Sequence, residues 1–260
     1  MDITELIKAS KTGFKRHPWE LTRLKMLRFF IGKCPLSKSS AILDAGSGDA
    51  FLAKSIAERY KQANVYAADI NYSSEILEII TKNKPANLFF FDEIEKVPTD
   101  RPIDLVVMMD ILEHLESPGE ILQSITNLKS TNPETRFIIT VPAFQRLFSE
   151  HDTILGHYRR YNLREIKSLL LSANMKILHI GYAFGSLLPV RWVQLFLEKK
   201  RTTEKAEKTT GVTEWKGGRL LTGLIITCLW LEFKISWYLA LAGIKLPGLS
   251  CYCICQPSPS

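Results

Sequence analysis

The sequence predicts a doubly wound α/β fold, a mostly parallel sheet with helices on both faces. Three observations predict it. Short apolar runs recur along the chain, and each ends in an acid or a polar loop. The first of them enters a turn with glycine at alternate positions and then an amphipathic segment. Between later runs lie helix-start signals of the capping-box type.

Taken in order, residues 1–36 precede the sheet and read as an N-terminal helical cap, with Pro18 suited to a first helical position and helix over Glu20–Ile31. Ala41–Leu43 is a buried parallel strand, and Phe51–Tyr60 the helix after it. Asn64–Ala68 is a second strand with a helix beyond Ser73, and Asn87–Phe91 a third, ending in Asp92 and Glu93. Ile103–Met109 is a fourth, and Ser117-Pro118-Gly119-Glu120 reads as a capping box that starts the next helix. Thr135–Val141 is a fifth strand, Asn162-Leu163-Arg164-Glu165 a second capping box opening the helix Leu163–Ser172, and Lys176–Ile180 a sixth strand. Then come the apolar Leu187–Leu197, a basic linker through Gly217-Gly218, the apolar Leu220–Ile244 and a last strand over Leu249–Gln256.

The turn Asp44-Ala45-Gly46-Ser47-Gly48-Asp49 carries the chemistry. A strand, a glycine turn and a helix N-terminus form a site for a nucleotide-like ligand, because glycine removes the Cβ from the path of approach. A pyrophosphate site requires a third glycine, and Phe51 stands there instead. Asp44 and Asp49 would repel a pyrophosphate but suit a cation. S-adenosylmethionine (SAM), with its sulfonium and ammonium groups, matches that charge pattern. Asp69 ends the second strand about 20 residues beyond the turn, where an acid can accept both ribose hydroxyls. Its plainer reading is a helix cap.

The D-x-G-x-G turn resembles the first motif of class I SAM-dependent methyltransferases. Asp104–Pro118 resembles the fourth-strand motif of the branch that includes ubiquinone-biosynthesis O-methyltransferases. Val141-Pro142-Ala143, Ser149-Glu150-His151-Asp152 and Gly156-His157-Tyr158-Arg159-Arg160-Tyr161 resemble a bacterial subgroup of that class with a GHYRRY signature. The likeness spans roughly residues 14 to 255. It implies a Rossmann-like seven-stranded sheet whose last strand is antiparallel, inserted between strands five and six. Residues 37–260 then form one methyltransferase domain with a helical insertion at 184–246. The implied cofactor is SAM, held by Asp44, Gly46, Gly48, Asp69, Ile70, Asp92, Glu93 and Asp110.

For the acceptor side the base candidates are His114, His151 and His157, because imidazole titrates near neutrality. Tyr158, Arg159, Arg160, Tyr161 and Trp19 are the expected substrate contacts. The long aperiodic stretch after strand five carries most of them and reads as a substrate wall. Asp110, Glu113 and His114 could hold a divalent cation, but no metal is expected. The expected acceptor is an oxygen or nitrogen of a small-molecule, sugar or lipid-linked metabolite. A nicotinamide-dependent oxidoreductase or epimerase is the alternative, weakened by the missing third glycine and the lack of a Tyr-x-x-x-Lys pair. So is a catalytically silent SAM-fold adaptor at a membrane.

Of the 260 residues, 46% are hydrophobic and 23% charged, with a net charge of +7. These are globular proportions. No nucleic-acid-binding motif accompanies the basic clusters. The five cysteines lack C-x-x-C spacing and no signal-peptide pattern opens the chain, so core thiols in a cytoplasmic protein are expected. Leu220–Ile244 is long enough to cross a bilayer, but Glu232 and Lys234 interrupt it. It is read as a buried or interfacial helix, with peripheral contact to the inner membrane face considered.

Overall fold

The computed structural model describes residues 15–98, 100–200 and 215–259. Arg201, Lys205 and Lys208 of the expected basic linker lie outside the described residues. Seven strands, β1 (Ala41–Ala45), β2 (Asn64–Ala68), β3 (Leu88–Phe91), β4 (Leu105–Met109), β5 (Arg136–Pro142), β6 (Met175–Ala183) and β7 (Ser250–Pro257), form one sheet. Its order is β3-β2-β1-β4-β5-β7-β6. The first five strands pair in parallel, and β7 inserts antiparallel to both β5 and β6. This is the doubly wound sheet with the reversed last strand that the sequence predicts.

The helices are α1 (Pro18–Ile31), α2 (Phe51–Arg59), α3 (Ser74–Thr81), α4 (Pro118–Thr126), α5 (Glu150–Ile154), α6 (Leu163–Ser172), α7 (Leu187–Lys200) and α8 (Arg219–Leu241). Two apolar layers sandwich the sheet. Strand β7 shows how the period of two assigns residues to them. Cys251, Cys253 and Cys255 face one layer, with Leu43, Val106, Phe137 and Ile139. Tyr252 and Ile254 face the other, with Ile42, Ile138, Phe30 and Phe233. Cys228 departs from the core-thiol expectation: it is exposed on α8.

The second layer ties both ends of the chain to the sheet. Phe29 and Phe30 of α1 make edge or tilted ring contacts with Phe233 and Trp237 of α8, at centroid distances of 5.1–5.6 Å. Tyr252 of β7 stacks on Trp237 at 5.6 Å. Burying one such ring contributes about 1.5–3 kcal/mol. The charged interruptions of α8 have separate explanations. Glu232 accepts from the backbone and hydroxyl of Ser186, and Lys234 lies 4.0 Å over the Phe29 ring.

Local signals fared unevenly. Asn162 accepts from the backbone N–H groups of Arg164 and Glu165, and Glu165 returns the bond to Asn162, a full capping box. Ser117 makes no side-chain cap bond; its backbone is at ψ 74°, which leaves Pro118 at the first position as the start signal. An unexpected box opens α1, where His17 caps Trp19 and Glu20 answers to the His17 backbone. The stretch after β5 is less irregular than its sequence suggests. It holds a 3-10 turn at Gln145–Leu147 and the short helix α5, boxed by Ser149 and Asp152.

Candidate functional site

The carboxyl ends of β1, β2, β4 and β5 carry the site. Gly46 stands at φ +66°, and a Cβ there would meet Ile111 Cδ1 at 2.0 Å. Its amide and that of Ser47 both donate to the carbonyl of Ala68, at 2.7 and 3.1 Å, locking the turn against β2. Gly48, also left-handed at φ +52°, donates its amide to Asp69 Oδ2 at 2.8 Å. The other oxygen of Asp69 accepts from the backbone and side chain of Asn71. Asp69 is therefore no helix cap; Ser73 fills that role for α3. Ile70 stands next to it, 86% exposed. Asp92 and Glu93 end β3 in the open, both paired with Lys96 at 2.8 and 2.9 Å.

Asp44 is the electrostatic centre of this edge. It is buried, and its Oδ2 has no hydrogen-bond partner among the described residues. Burial, with Asp49 and Asp69 nearby, pushes its carboxyl up to about 8. A buried, under-satisfied acid beside a cradle of bare backbone fits a cationic ligand such as SAM. Asp69 and the exposed Ile70 fit its ribose and a flat apolar ring.

Two arginines from the N-terminal segment close over this edge, unannounced by any motif. Arg16 pairs with Asp49 and lies 3.7 Å over the Phe51 ring. Arg23 pairs with Asp110 at 2.5 Å, while Thr140 donates to the other oxygen of Asp110 at 2.7 Å. Trp19 sits between, with Arg23 4.7 Å over its ring and Phe184 edge-on at 6.3 Å.

The loop between β5 and α6 is organised around one carboxylate. Asp152 is fully buried. One oxygen accepts from His157 Nδ1 and Arg160 Nε, both at 2.8 Å; the other accepts from Ser149 and faces Arg191 of α7 at 3.6 Å. Burial alone would raise its pKa, but the bonds from His157 and Arg160 outweigh it and hold it well below the usual carboxylate range. An ionised carboxylate only accepts, so Nδ1 of His157 carries the proton. In the neutral ring Nε2 then presents a lone pair.

His157 meets His114 edge-on, with ring centroids 4.5 Å apart. Glu113, His114 and His157 place ligand-type atoms within 4.8 Å of one another. This corrects the grouping of Asp110 with Glu113 and His114: Asp110 is taken by Arg23, and His157 stands in its place. Glu113 is buried, and neither carboxylate oxygen has a partner among the described residues. Burial, then the charge of Asp110, raises its pKa well above the ordinary value. His151, on α5, is pushed below its usual value by burial and by Arg191, and stands outside this trio.

Two expected substrate contacts have other roles. Arg160 is buried and spends its guanidinium on Asp152 and the Ala143 carbonyl. Tyr161 is buried and donates its hydroxyl to the Leu112 carbonyl. Tyr161 fixes the loop to the segment after β4, and Arg160 fixes it to the residue that follows β5. Tyr158 is 54% exposed, and Arg159 donates to the Glu116 carbonyl at 2.8 Å from a half-buried position. Sequence reasoning missed Arg16 and Arg191, which lie far along the chain from the acids they meet. The clue for Arg191 was a single cation inside an apolar run.

The family description "Methyltransferase domain" matches residues 19–180. No curated protein matches the chain. Among solved structures, a SAM-dependent methyltransferase from Archaeoglobus fulgidus is 16% identical, with TM-score 0.53 over 96% of this chain and 98% of that one. Haemonchus contortus phosphoethanolamine N-methyltransferase 2, in complex with SAM, is 15% identical, with TM-score 0.51 over 93% of this chain and 53% of that one. The [4+2]-cyclase SpnF is 12% identical, with TM-score 0.57 over 91% of this chain and 81% of that one. At these identities the structures speak for the fold alone. The family match covers more than half of the chain and does not favour a nicotinamide enzyme. The chain belongs to the methyltransferase-domain family, with the class I fold, and its cofactor is S-adenosylmethionine.

Proposed function

We propose that this protein transfers the methyl group of SAM to an oxygen or nitrogen of a small-molecule, sugar or lipid-linked metabolite. The observation that carries the reading is the Asp152–His157 pair at 2.8 Å, set against His114 and Glu113 where β4 ends. Bound SAM supplies an activated methyl group, so the protein's tasks are alignment and removal of the acceptor's proton. Asp44, Gly46, Gly48, Asp69, Ile70, Asp92, Glu93 and Asp110 hold the cofactor in this reading. His157 Nε2 is the base, Asp152 orients it, and His114 and His151 stand nearby as secondary candidates. Trp19, Tyr158 and Arg159 line the acceptor space. The Asp110-x-x-Glu113-His114 run and the Gly156–Tyr161 segment favour kinship with the ubiquinone-type branch and its GHYRRY subgroup. Five free cysteines suit a reducing cytoplasm.

A screen of acceptors that follows S-adenosylhomocysteine release tests the reading. His157→Ala should lose most of its turnover while SAM affinity by calorimetry stays at the parent value. Turnover at the parent rate would remove His157 as base, and calorimetry showing no SAM binding would remove the enzymatic reading altogether.

A further inference from the structure

Helix α8 presents its apolar residues to solvent. Leu220, Leu224, Leu231, Ile235 and Tyr238 recur at the three- and four-residue spacing of one helix face, and all are exposed, Leu224 at 61%. Only the opposite face, with Leu229, Phe233, Ser236 and Trp237, is buried. At 1.5 Å per residue this 23-residue helix carries an apolar stripe about 34 Å long. Ile244 and Leu246 continue it beyond the helix end.

Helix α7 is turned the same way. Its polar residues Arg191 and Glu198 bond to each other, and Arg191 reaches Ser149 and Asp152 of the acceptor loop. Val190, Trp192, Val193 and Leu197 are all more than half exposed. A soluble helix ordinarily buries its apolar stripe and wets its polar one. Here α7 does the reverse and α8 is apolar on both its buried and its exposed face, which marks a surface that meets something apolar.

Charge decides the occupant. Around α8, Lys216 and Arg219 stand exposed at its start and Lys245 beyond its end. Along its seam with α1, Lys25 reaches over Trp230 at 5.2 Å, and Lys33 and Lys234 reach over Phe29 at 5.2 and 4.0 Å. Among the described residues of the insertion the acids are Glu198 and Glu232, and both are bonded to neighbours, Arg191 and Ser186. A second copy docked face to face by a twofold axis would set these cations against themselves. An anionic lipid surface complements both the cations and the apolar stripe.

We propose that the exposed faces of α7 and α8 dock this protein flat onto an anionic bilayer. Helix α8 lies on the surface and does not cross it: α1, β6 and β7 hold one of its faces, and β7 re-enters the sheet between β5 and β6 after a connection of eight residues. Because α7 grips the acceptor loop through Arg191, docking also places that loop beside the membrane. Delivery of a lipid-linked acceptor rests on the proposed function above; docking does not.

Flotation of the full chain with phosphatidylglycerol-containing and pure phosphatidylcholine vesicles tests docking without reference to turnover. Binding is expected to the anionic vesicles, falling as salt rises. Lys25→Gln with Lys33→Gln should weaken it, each charge contributing on the order of fivefold. The triple variant Leu224→Gln, Leu231→Gln, Ile235→Gln should abolish flotation. In case that variant misfolds, the parent protein gives an independent readout: brominated lipid should quench tryptophan emission, and Trp192→Phe should remove a share of that quenching. Absence of flotation and quenching at every composition and salt would overturn the proposal. So would a stable dimer by light scattering that neither floats nor survives the triple substitution.

Discussion

The two edges of this site hold their carboxylates by opposite means. At the glycine turn, Asp69 is fixed chiefly by the backbone amides of Gly48 and Asn71, groups that any sequence forming this turn supplies, with the Asn71 side chain beside them. In the loop after β5, Asp152 is fixed by the side chains of His157 and Arg160 and by the hydroxyl and amide of Ser149, with Arg191 alongside from a different part of the chain. The first arrangement is local and cheap to encode. The second gathers residues across the sequence and is as strong as its weakest side chain. Glu113 sharpens the contrast, since it is equally buried but has no hydrogen-bond partner among the described residues. Burial sets the stakes for a carboxylate; the donors around it decide whether it is charged.

Breaking the loop side should have the largest effect. Asp152→Ala strands the buried Arg160, the Arg191 beside it and His157 together, and should destabilise the protein by about 3–5 kcal/mol in urea unfolding. Glu113→Gln, at the same depth, should change stability by much less, because burial favours the uncharged carboxyl and the amide is its isostere. Equal losses in the two variants would refute the distinction between them.

On the glycine side the damage should fall on binding. Gly46→Ala brings a Cβ within 2.0 Å of Ile111 at a left-handed φ, and should reduce SAM affinity by two orders of magnitude or so. Asp69→Ala removes charged contacts of about 1.5–3 kcal/mol, at least tenfold in affinity. Calorimetry with thermal melting in parallel would show whether affinity falls while the fold persists.

The two edges should also answer pH with opposite signs. Asp152 is held low, so its contribution is complete above pH about 4 and drains away as the solution becomes more acid. Asp44 is pushed up to about 8, so the folded state keeps a proton that the unfolded chain releases. Without cofactor, stability should fall as pH climbs from about 4 to about 8. Asp44→Asn should remove Asp44's share of that fall and leave the share of Glu113, so that it melts above the parent at pH 8 and near it at pH 4. A cation bound beside Asp44 should expel its proton, readable near pH 7 as a buffer-dependent heat of SAM binding.

The smallest effect separates two helix starts that look alike in sequence. Asn162→Ala should cost about 1 kcal/mol, since its side chain caps α6. Ser117→Ala should be close to neutral, since its hydroxyl caps nothing.

The sequence by itself determined the sheet and the glycine turn at its carboxyl edge. Strand positions follow from apolar runs of the right length. The turn follows from two glycines whose backbone conformation few other residues tolerate, and Asp69 from its distance along one βαβ unit. All of these depend on residues close together in the chain. The reversed β7 came from family resemblance rather than from any local pattern. Tertiary structure alone decided the rest: Arg16 on Asp49, Arg23 on Asp110, Arg191 beside Asp152, the deep burial of Glu113, and the burial of Arg160 and Tyr161. Those facts depend on how deeply a charge is buried and which distant side chain meets it. A one-dimensional pattern records neither, because the energy of a charge is set by its surroundings in space.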